Sequence, residues 1–287
     1  MKRDIKISVV MAVYNRVNVV EQAISSVVNQ TYNNIEFIII DGGSTDGTID
    51  IIKKYEDKIT YWVSEPDTGL YNAFNKGCRA ATGDYIAIIG SDDCYCNEHV
   101  IEDAVSEIDA DTDILSGTKY KVFPDSCYEY LRGNEFARDK SKYTGEMVPN
   151  EGLFVRRELR LCFPFDESYR MAADRKFFMT CYYDDSVNIK YIDLPIVYFE
   201  LSGITTKEHS GANEEDNRLS LELGHPEFVN MFDKRRRDEF WVKYALKTVL
   251  KRFGLFNYIS AFYNIYVKGS WKKHHCNNKI CRWCGRS

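Results

Sequence analysis

Tyr85-Ile86-Ala87-Ile88-Ile89-Gly90-Ser91-Asp92-Asp93 is an apolar run that stops on two adjacent carboxylates. Apolar residues without polar alternation read as a strand buried on both faces of a parallel sheet, so its carboxyl end delivers Asp92 and Asp93 to a sheet edge. Adjacent carboxylates repel unless a proton or a cation lies between them. A Mg²⁺ or Mn²⁺ ion shared with a substrate diphosphate is the simplest such arrangement. The run Phe37-Ile38-Ile39-Ile40 ends the same way, on Asp41 ahead of Gly42-Gly43-Ser44-Thr45-Asp46-Gly47. Asp and Gly are also ordinary turn residues. Two acidic endings on neighbouring buried strands point instead to the rim of a ligand site.

Outward from these strands, the first 93 residues alternate strand and helix. Residues 5–13 read as a strand ending in Tyr14-Asn15. Asn18 followed by Glu21 resembles an N-cap with its capping partner. Val20, Ala23, Ile24, Val27 and Val28 then fall on one helical face. The pattern continues with a strand at 35–40, a helix at about 48–55, a strand at 60–63 and a helix at about 70–80. A helix at about 98–108 and a strand near 114–116 extend it, and a further helix starts close to Asp174. Repeated βα units predict a mixed, mostly parallel α/β sheet with helices on both faces and ligands beyond the carboxyl ends of its strands. No G-x-G-x-x-G follows the first strand and no G-x-x-x-x-G-K-[ST] occurs in the chain. Both absences weigh against a nicotinamide or flavin enzyme and against a P-loop NTPase.

The 287 residues suffice for one large α/β domain with additions. The 20 Tyr and 16 Phe can build core or stack on sugar and base rings. The net charge of −5 hides an asymmetry: 14 Lys/Arg stand against 3 Asp/Glu from Asp233 onward, and 24 against 40 before it. A basic tail on an acidic body points to an anionic partner for the tail. No export signal is read at the N-terminus and no apolar run is long enough to span a bilayer. The expectation is a cytoplasmic protein with reduced thiols among its nine cysteines, held peripherally at the cytoplasmic face of the inner membrane by its tail.

Three stretches together resemble the family 2 glycosyltransferases of GT-A fold: Ile7-Ser8-Val9-Val10-Met11-Ala12-Val13-Tyr14-Asn15, Ile40-Asp41-Gly42-Gly43-Ser44-Thr45-Asp46-Gly47-Thr48, and Gly83-Asp84-Tyr85 running into Ser91-Asp92-Asp93. Ser64-Glu65-Pro66-Asp67-Thr68-Gly69-Leu70-Tyr71-Asn72-Ala73-Phe74-Asn75-Lys76-Gly77 looks like the subgroup found in bacterial polysaccharide assembly. The likeness spans about residues 5–205. It implies a catalytic domain at 1–205, with a nucleotide-sugar half at 1–110 and an acceptor half at 111–205, then a helical extension at 206–270 and a Cys/His tail at 271–287. By the resemblance, Ala12, Val13 and Tyr14 frame the nucleotide base and Asp41 accepts a hydrogen bond from it. Asp92 faces ribose or diphosphate, Asp93 the Mn²⁺ or Mg²⁺ ion, and Asp174 matches the general base. The implied reaction is inverting transfer from a nucleotide-diphosphate sugar, UDP-linked by preference, to a hydroxyl of a glycan or lipid-linked acceptor. No nucleic-acid partner is expected. A non-catalytic nucleotide-sugar-binding protein and a nucleotidyltransferase are the alternatives; the latter calls for a Gly-rich basic loop after the first strand, which Met11-Ala12-Val13-Tyr14-Asn15-Arg16 is not.

Asp67 and Glu151 complete the candidates as donor or acceptor contacts. Asp67 precedes a helix N-terminus, where anions are favoured, but Pro66 and Gly69 alone would also make a turn there. Asn150-Glu151 stands where relatives commonly carry His-Gln, which makes Glu151 an extra acidic group on the acceptor side or a surface residue. Lys243, Lys247 and Lys251 lie opposite Val242, Leu246, Val249, Leu250 and Phe253 on a basic amphipathic helix suited to a membrane surface or to packing on the catalytic domain. His274, His275, Cys276, Cys281 and Cys284 have only one tight pair of zinc-ligand spacing, so a disordered tail is expected there instead of a metal site.

Overall fold

Parallel strands β1 (Ile7–Val13), β2 (Ile35–Asp41), β3 (Tyr61–Ser64) and β4 (Tyr85–Gly90) lie in the order β4-β1-β2-β3. All seven residues of β1 are buried, which is why its sequence shows no polar alternation. The computed structural model describes residues 4–122, 128–132, 150–200, 209–224 and 271–273. The chain falls into two units, Met1–Tyr120 with Arg132–Glu200, and Lys121–Leu131 with Leu201–Ser287.

In the first unit the sheet continues beyond β4 through β8 (Leu153–Arg156) to β6 (Ile114–Val122). β8 is antiparallel to both neighbours, with Ala87 opposite Phe154 and Leu115 opposite Phe154 from the other side. β9 (Ile189–Glu200) pairs with β6 and, antiparallel, with the short β5 (Cys94–Tyr95). One face of β1 and β2, Val9, Met11 and Ile39, packs in a core with Val20, Ala23, Ile24 and Val27 of α1 (Val20–Val28), Ile51 and Ile52 of α2 (Thr48–Lys54), and Ile101 and Ala104 of α4 (Val100–Ser106). On the other face α3 (Leu70–Ala80) lies against β1 and β2, so close that a side-chain carbon on Gly77 would meet Val10. α5 (Arg157–Cys162) and α6 (Ala173–Tyr183) complete the unit. Helices on both faces of a mostly parallel sheet are what alternating βα units dictate.

At the amino edge of the sheet a buried carboxylate ties three segments together. Glu36 accepts from Ser8 Oγ at 2.5 Å, Thr82 N at 2.7 Å, Thr82 Oγ1 at 2.8 Å and Lys6 Nζ at 3.2 Å. Burial raises its pKa, but these four donors outweigh burial and pull the group from 4.5 down to about 2.

Asn18 is not the cap of α1. The N-cap position is Val19, without a side-chain cap, and the amides of Val19 and Val20 donate to Arg16 O at 3.0 and 2.9 Å. Glu21 turns instead toward Tyr55, whose hydroxyl donates to it at 3.5 Å. In the second unit β7 (Tyr128–Arg132) pairs antiparallel with β10 (Trp271–Lys273). α7 (His209–Glu222) carries an Arg218–Glu222 ion pair at 2.7 Å. The basic helix around 242–253 and the Cys/His cluster at 274–284 lie outside the described residues. Among the described residues no helix is long and apolar enough to cross a membrane.

Candidate active site

The carboxyl ends of β3, β2, β1 and β4 set a row of polar positions at one sheet edge. Ser64 is paired in register with Asp41, Asp41 with Val13, and Ala12 with Gly90. Parallel strands lie about 4.8 Å apart, so the nucleotide candidates Ala12, Val13 and Asp41 share one short edge with the turn that carries Asp92 and Asp93.

Asp41 is fully buried, and its carboxylate organises the loop that follows it. Oδ2 accepts from Gly43 N at 3.1 Å, Ser44 N at 2.9 Å and Ser64 Oγ at 2.6 Å, and Oδ1 from Ser44 Oγ at 2.5 Å. A carboxylate offers about four acceptor sites. Three of the four donors crowd Oδ2, whereas among the described residues Oδ1 accepts Ser44 Oγ alone. The same loop is laced to the end of β1: Asn15 N donates to Ser44 Oγ at 2.8 Å and Thr45 N to Asn15 Oδ1 at 2.9 Å. Tyr14 stands clear of this lacing with 60% of its surface exposed. Its ring edge comes within 3.3 Å of where a side-chain carbon on Gly42 would lie, and Asp67 Oδ2 within 2.6 Å of the same point. Gly42 thus leaves room for both Asp67 and the Tyr14 ring beside the end of β2. Asp67 Oδ1 also accepts Gly69 N at 2.9 Å, fixing the turn into α3. Lys76 of α3 is bound to Glu65 at 2.7 Å.

Gly90 performs the same service for the acidic pair. A side-chain carbon there would lie 2.5 Å from Asp93 Oδ2 and 3.2 Å from Asp92 Oδ1, so both carboxylates curl over the end of β4. Asp93 is buried and Asp92 half-buried. Among the described residues no group of three or more His, Cys, Asp or Glu is placed to hold a metal. Two hard carboxylates in a cradle that only glycine leaves open nevertheless fit Mg²⁺ or Mn²⁺, which usually bind through one or two carboxylates with water and substrate phosphates supplying the rest.

Asp174, the second residue of α6, is reached from the far side of the sequence. Its Oδ1 accepts the Tyr71 hydroxyl at 2.9 Å and the Arg175 amide at 2.8 Å. Burial and then the neighbouring Glu151 carboxylate push its pKa up to about 6, against the two donors and the Arg175 charge. Glu151 sits in a 3-10 turn, Asn150–Gly152, that packs against β4, β9 and α6. It pairs with Lys119 of β6 at 3.2 Å, and the Lys119 ammonium lies 3.9 Å over the Phe199 ring. Asn150 is buried with its Oδ1 unbonded, an acceptor waiting on the same turn.

Sequence reasoning did not single out Tyr71, Lys119, Gly42 or Gly90. Tyr71 and Lys119 reach their partners across 103 and 32 residues, which no local pattern signals. The two glycines did carry a signal, since each stands directly beside an acidic strand end.

A mostly parallel sheet of this order, with acidic residues at its carboxyl edge, has GT-A architecture. Residues 8–162, more than half the chain, match the family model "Glycosyl transferase family 2", and the chain belongs to that family. An uncharacterised glycosyltransferase of Nostoc sp. is 31% identical over 193 residues, 59% of this chain and 57% of its own. Glycosyltransferase GlyG of Streptococcus pneumoniae is 34% identical over 162 residues, 52% of this chain and 54% of its own. A Rickettsia bellii glycosyltransferase is 37% identical over 121 residues, 42% of this chain and only 17% of its own. The chain therefore spans little more than half of these curated relatives at best. Among solved structures, Staphylococcus aureus TarS 1–349 with UDP-GlcNAc aligns with a TM-score of 0.63 at 21% identity, covering 83% of this chain and 76% of that one. The Pyrobaculum calidifontis mannosyltransferase PcManGT with GDP-Man and Mn²⁺ gives 0.57 at 18%, covering 81% and 64%. At these identities the likeness shows the fold. The family match ends before α6, so Asp174 lies beyond it.

Proposed function

We propose that the chain is an inverting glycosyltransferase that moves a sugar from a nucleotide-diphosphate donor, UDP-linked by preference, to a hydroxyl of a glycan or lipid-linked acceptor in cell-surface polysaccharide synthesis. The observation that carries this reading is Asp174. It is a half-buried carboxylate with one oxygen held by two donors and a pKa near 6. A group with that pKa is ionised at neutral pH yet basic enough to take a proton in the transition state. Asp174 accepts the acceptor hydroxyl's proton as that oxygen attacks the anomeric carbon. The bond from that carbon to the diphosphate oxygen breaks on the opposite face, which inverts its configuration. Tyr14 stacks on the base at the mouth of the site, with the backbone of Ala12 and Val13 beside it. Asp92 and Asp93 would hold a Mg²⁺ or Mn²⁺ ion, which supplies positive charge to the departing diphosphate. Glu151 lies where it meets the acceptor. UDP and UDP-GlcNAc in TarS, and GDP-Man with Mn²⁺ in PcManGT, support the donor class and the ion. Contact of the basic C-terminal segment with an anionic cytoplasmic membrane surface belongs to the same proposal, on the strength of its charge alone.

The test is a panel of nucleotide sugars scored by the rise in melting temperature with Mn²⁺, followed by turnover of the best donor. One sugar nucleotide is expected to stabilise the wild type and Asp174→Asn alike, while only the wild type turns it over. Normal turnover by Asp174→Asn would sink the base assignment.

A further inference from the structure

Among the described residues, Asp174 is held on one side. Both hydrogen bonds to it described in the structure, from Tyr71 Oη and Arg175 N, end on Oδ1, and among the described residues Oδ2 receives none. The Tyr71 ring is buried and packs 5.3 Å from Phe165. Its neighbours on α3 grip the segment that leads into α6. Asn75 Nδ2 donates to Phe165 O and to Glu167 Oε1, each at 2.9 Å, Phe165 N donates back to Asn75 Oδ1 at 2.9 Å, and Asn72 Nδ2 donates to Glu167 Oε2 at 2.8 Å. The first turn of α3 is itself continuous with the donor-side loop, because Asp67, pressed against Gly42, accepts Gly69 N one residue before the helix.

We propose that Tyr71 is a positioning residue for transfer: with the Arg175 amide it pins Asp174 Oδ1, turns Oδ2 toward the acceptor hydroxyl, and ties the base to the helix that starts beside the donor pocket. This rests on Asp174 being the base. The charged and titratable groups around that carboxyl are Glu151 on the 3-10 turn, Arg175 on its own helix, Tyr71 on α3 and the buried Arg160 of α5. Of these, Glu151 opposes ionisation, whereas Tyr71 and Arg175 favour it. Loss of the Tyr71 hydroxyl therefore raises the Asp174 pKa further and frees the carboxylate to rotate.

Tyr71→Phe keeps the ring on Phe165 and removes only the donor. On the full chain, ¹³C NMR titration of the Asp174 carboxyl, assigned by its loss in Asp174→Asn, reads the contact without substrate. Hydrolysis of UDP-GlcNAc or UDP-glucose with Mn²⁺ reads its consequence. The expected result is a titration midpoint moved upward from about 6, a matching upward move of the acid limb of kcat, a fall in kcat of roughly tenfold to a hundredfold, and an unchanged donor KM. 3-Fluorotyrosine at position 71, a stronger donor, moves midpoint and limb downward. An unmoved midpoint, or a fall in kcat with no shift of the acid limb, overturns the proposal. Turnover by Asp174→Asn would instead remove the base reading, and the NMR midpoint would still report whether Tyr71 holds the carboxyl.

Discussion

At the scale of single residues, Asp174 stores instability that its proposed role requires. Its pKa rises from 3.8 unfolded to about 6 folded, so the native state holds the proton more tightly. The folded chain carries no penalty from this group below pH 3.8, and the penalty grows to its full size by pH 6. Asp174→Asn keeps an oxygen for Tyr71 and removes the buried charge. It should stabilise the protein at pH 8 by up to about 3 kcal/mol, less whatever water already screens. The difference should vanish near pH 4 in paired urea titrations, while transfer is lost. Gly90 makes the complementary prediction. Gly90→Ala puts a carbon into the space of Asp93 Oδ2 and Asp92 Oδ1. Pushing both carboxylates aside by about an ångström should cost on the order of 100-fold in turnover and weaken Mn²⁺-dependent donor binding measured by calorimetry. Asp41, Asp92 and Asp93 were legible in the sequence because a buried strand must end somewhere and its last residues must face the edge. The hydrogen bond from Ser64 to Asp41 was not, because the chain meets itself there across 23 residues.

At the scale of elements, α3 bridges the two sides of the site. Asn75 is buried and satisfies both the amide and the carbonyl of Phe165. Asn75→Ala leaves those groups and Glu167 short of partners, and the loss should be about 2–3 kcal/mol in urea unfolding at pH 7. If the bridge also orients the base, kcat falls more than donor KM rises. α3 was readable from its apolar spacing and from Gly69, as were β1 to β4 from their apolar runs. β8 and β9 were not, since an antiparallel strand of four residues inserted between β4 and β6 follows no local period. Asn18 failed as a cap for a related reason. The carbonyl of Arg16 took up the first amides of α1, and a backbone turn displaced the side chain that the pattern favoured.

At the scale of the whole unit, folding treats the carboxylates of Asp174 and Glu36 in opposite ways. Among the described residues Asp174 has two donors, whereas Glu36 at the amino edge is surrounded by four. Glu36 falls from 4.5 to about 2 on folding, so its contribution is complete above pH 4.5 and drains away as pH drops toward 2. That change corresponds to about 3 kcal/mol, reasonable for a residue 6% exposed. Glu36→Gln turns an acceptor into a group whose amide faces donors from Ser8, Thr82 and Lys6. Its unfolding free energy at pH 7 should fall by up to that amount, and the gap from wild type should close between pH 4.5 and 2. Both gaps open as pH rises, but Asp174→Asn gains stability over wild type where Glu36→Gln loses it, so the two variants are told apart by the sign of the gap. Nucleotide-sugar turnover should survive Glu36→Gln wherever the variant stays folded, because β1, β2 and β4 carry its effect to the carboxyl edge only through stability. A Glu36→Gln protein that melts like wild type at pH 7 would show that the four donors contribute nothing net, and that burial, not the latch, holds this end of the sheet.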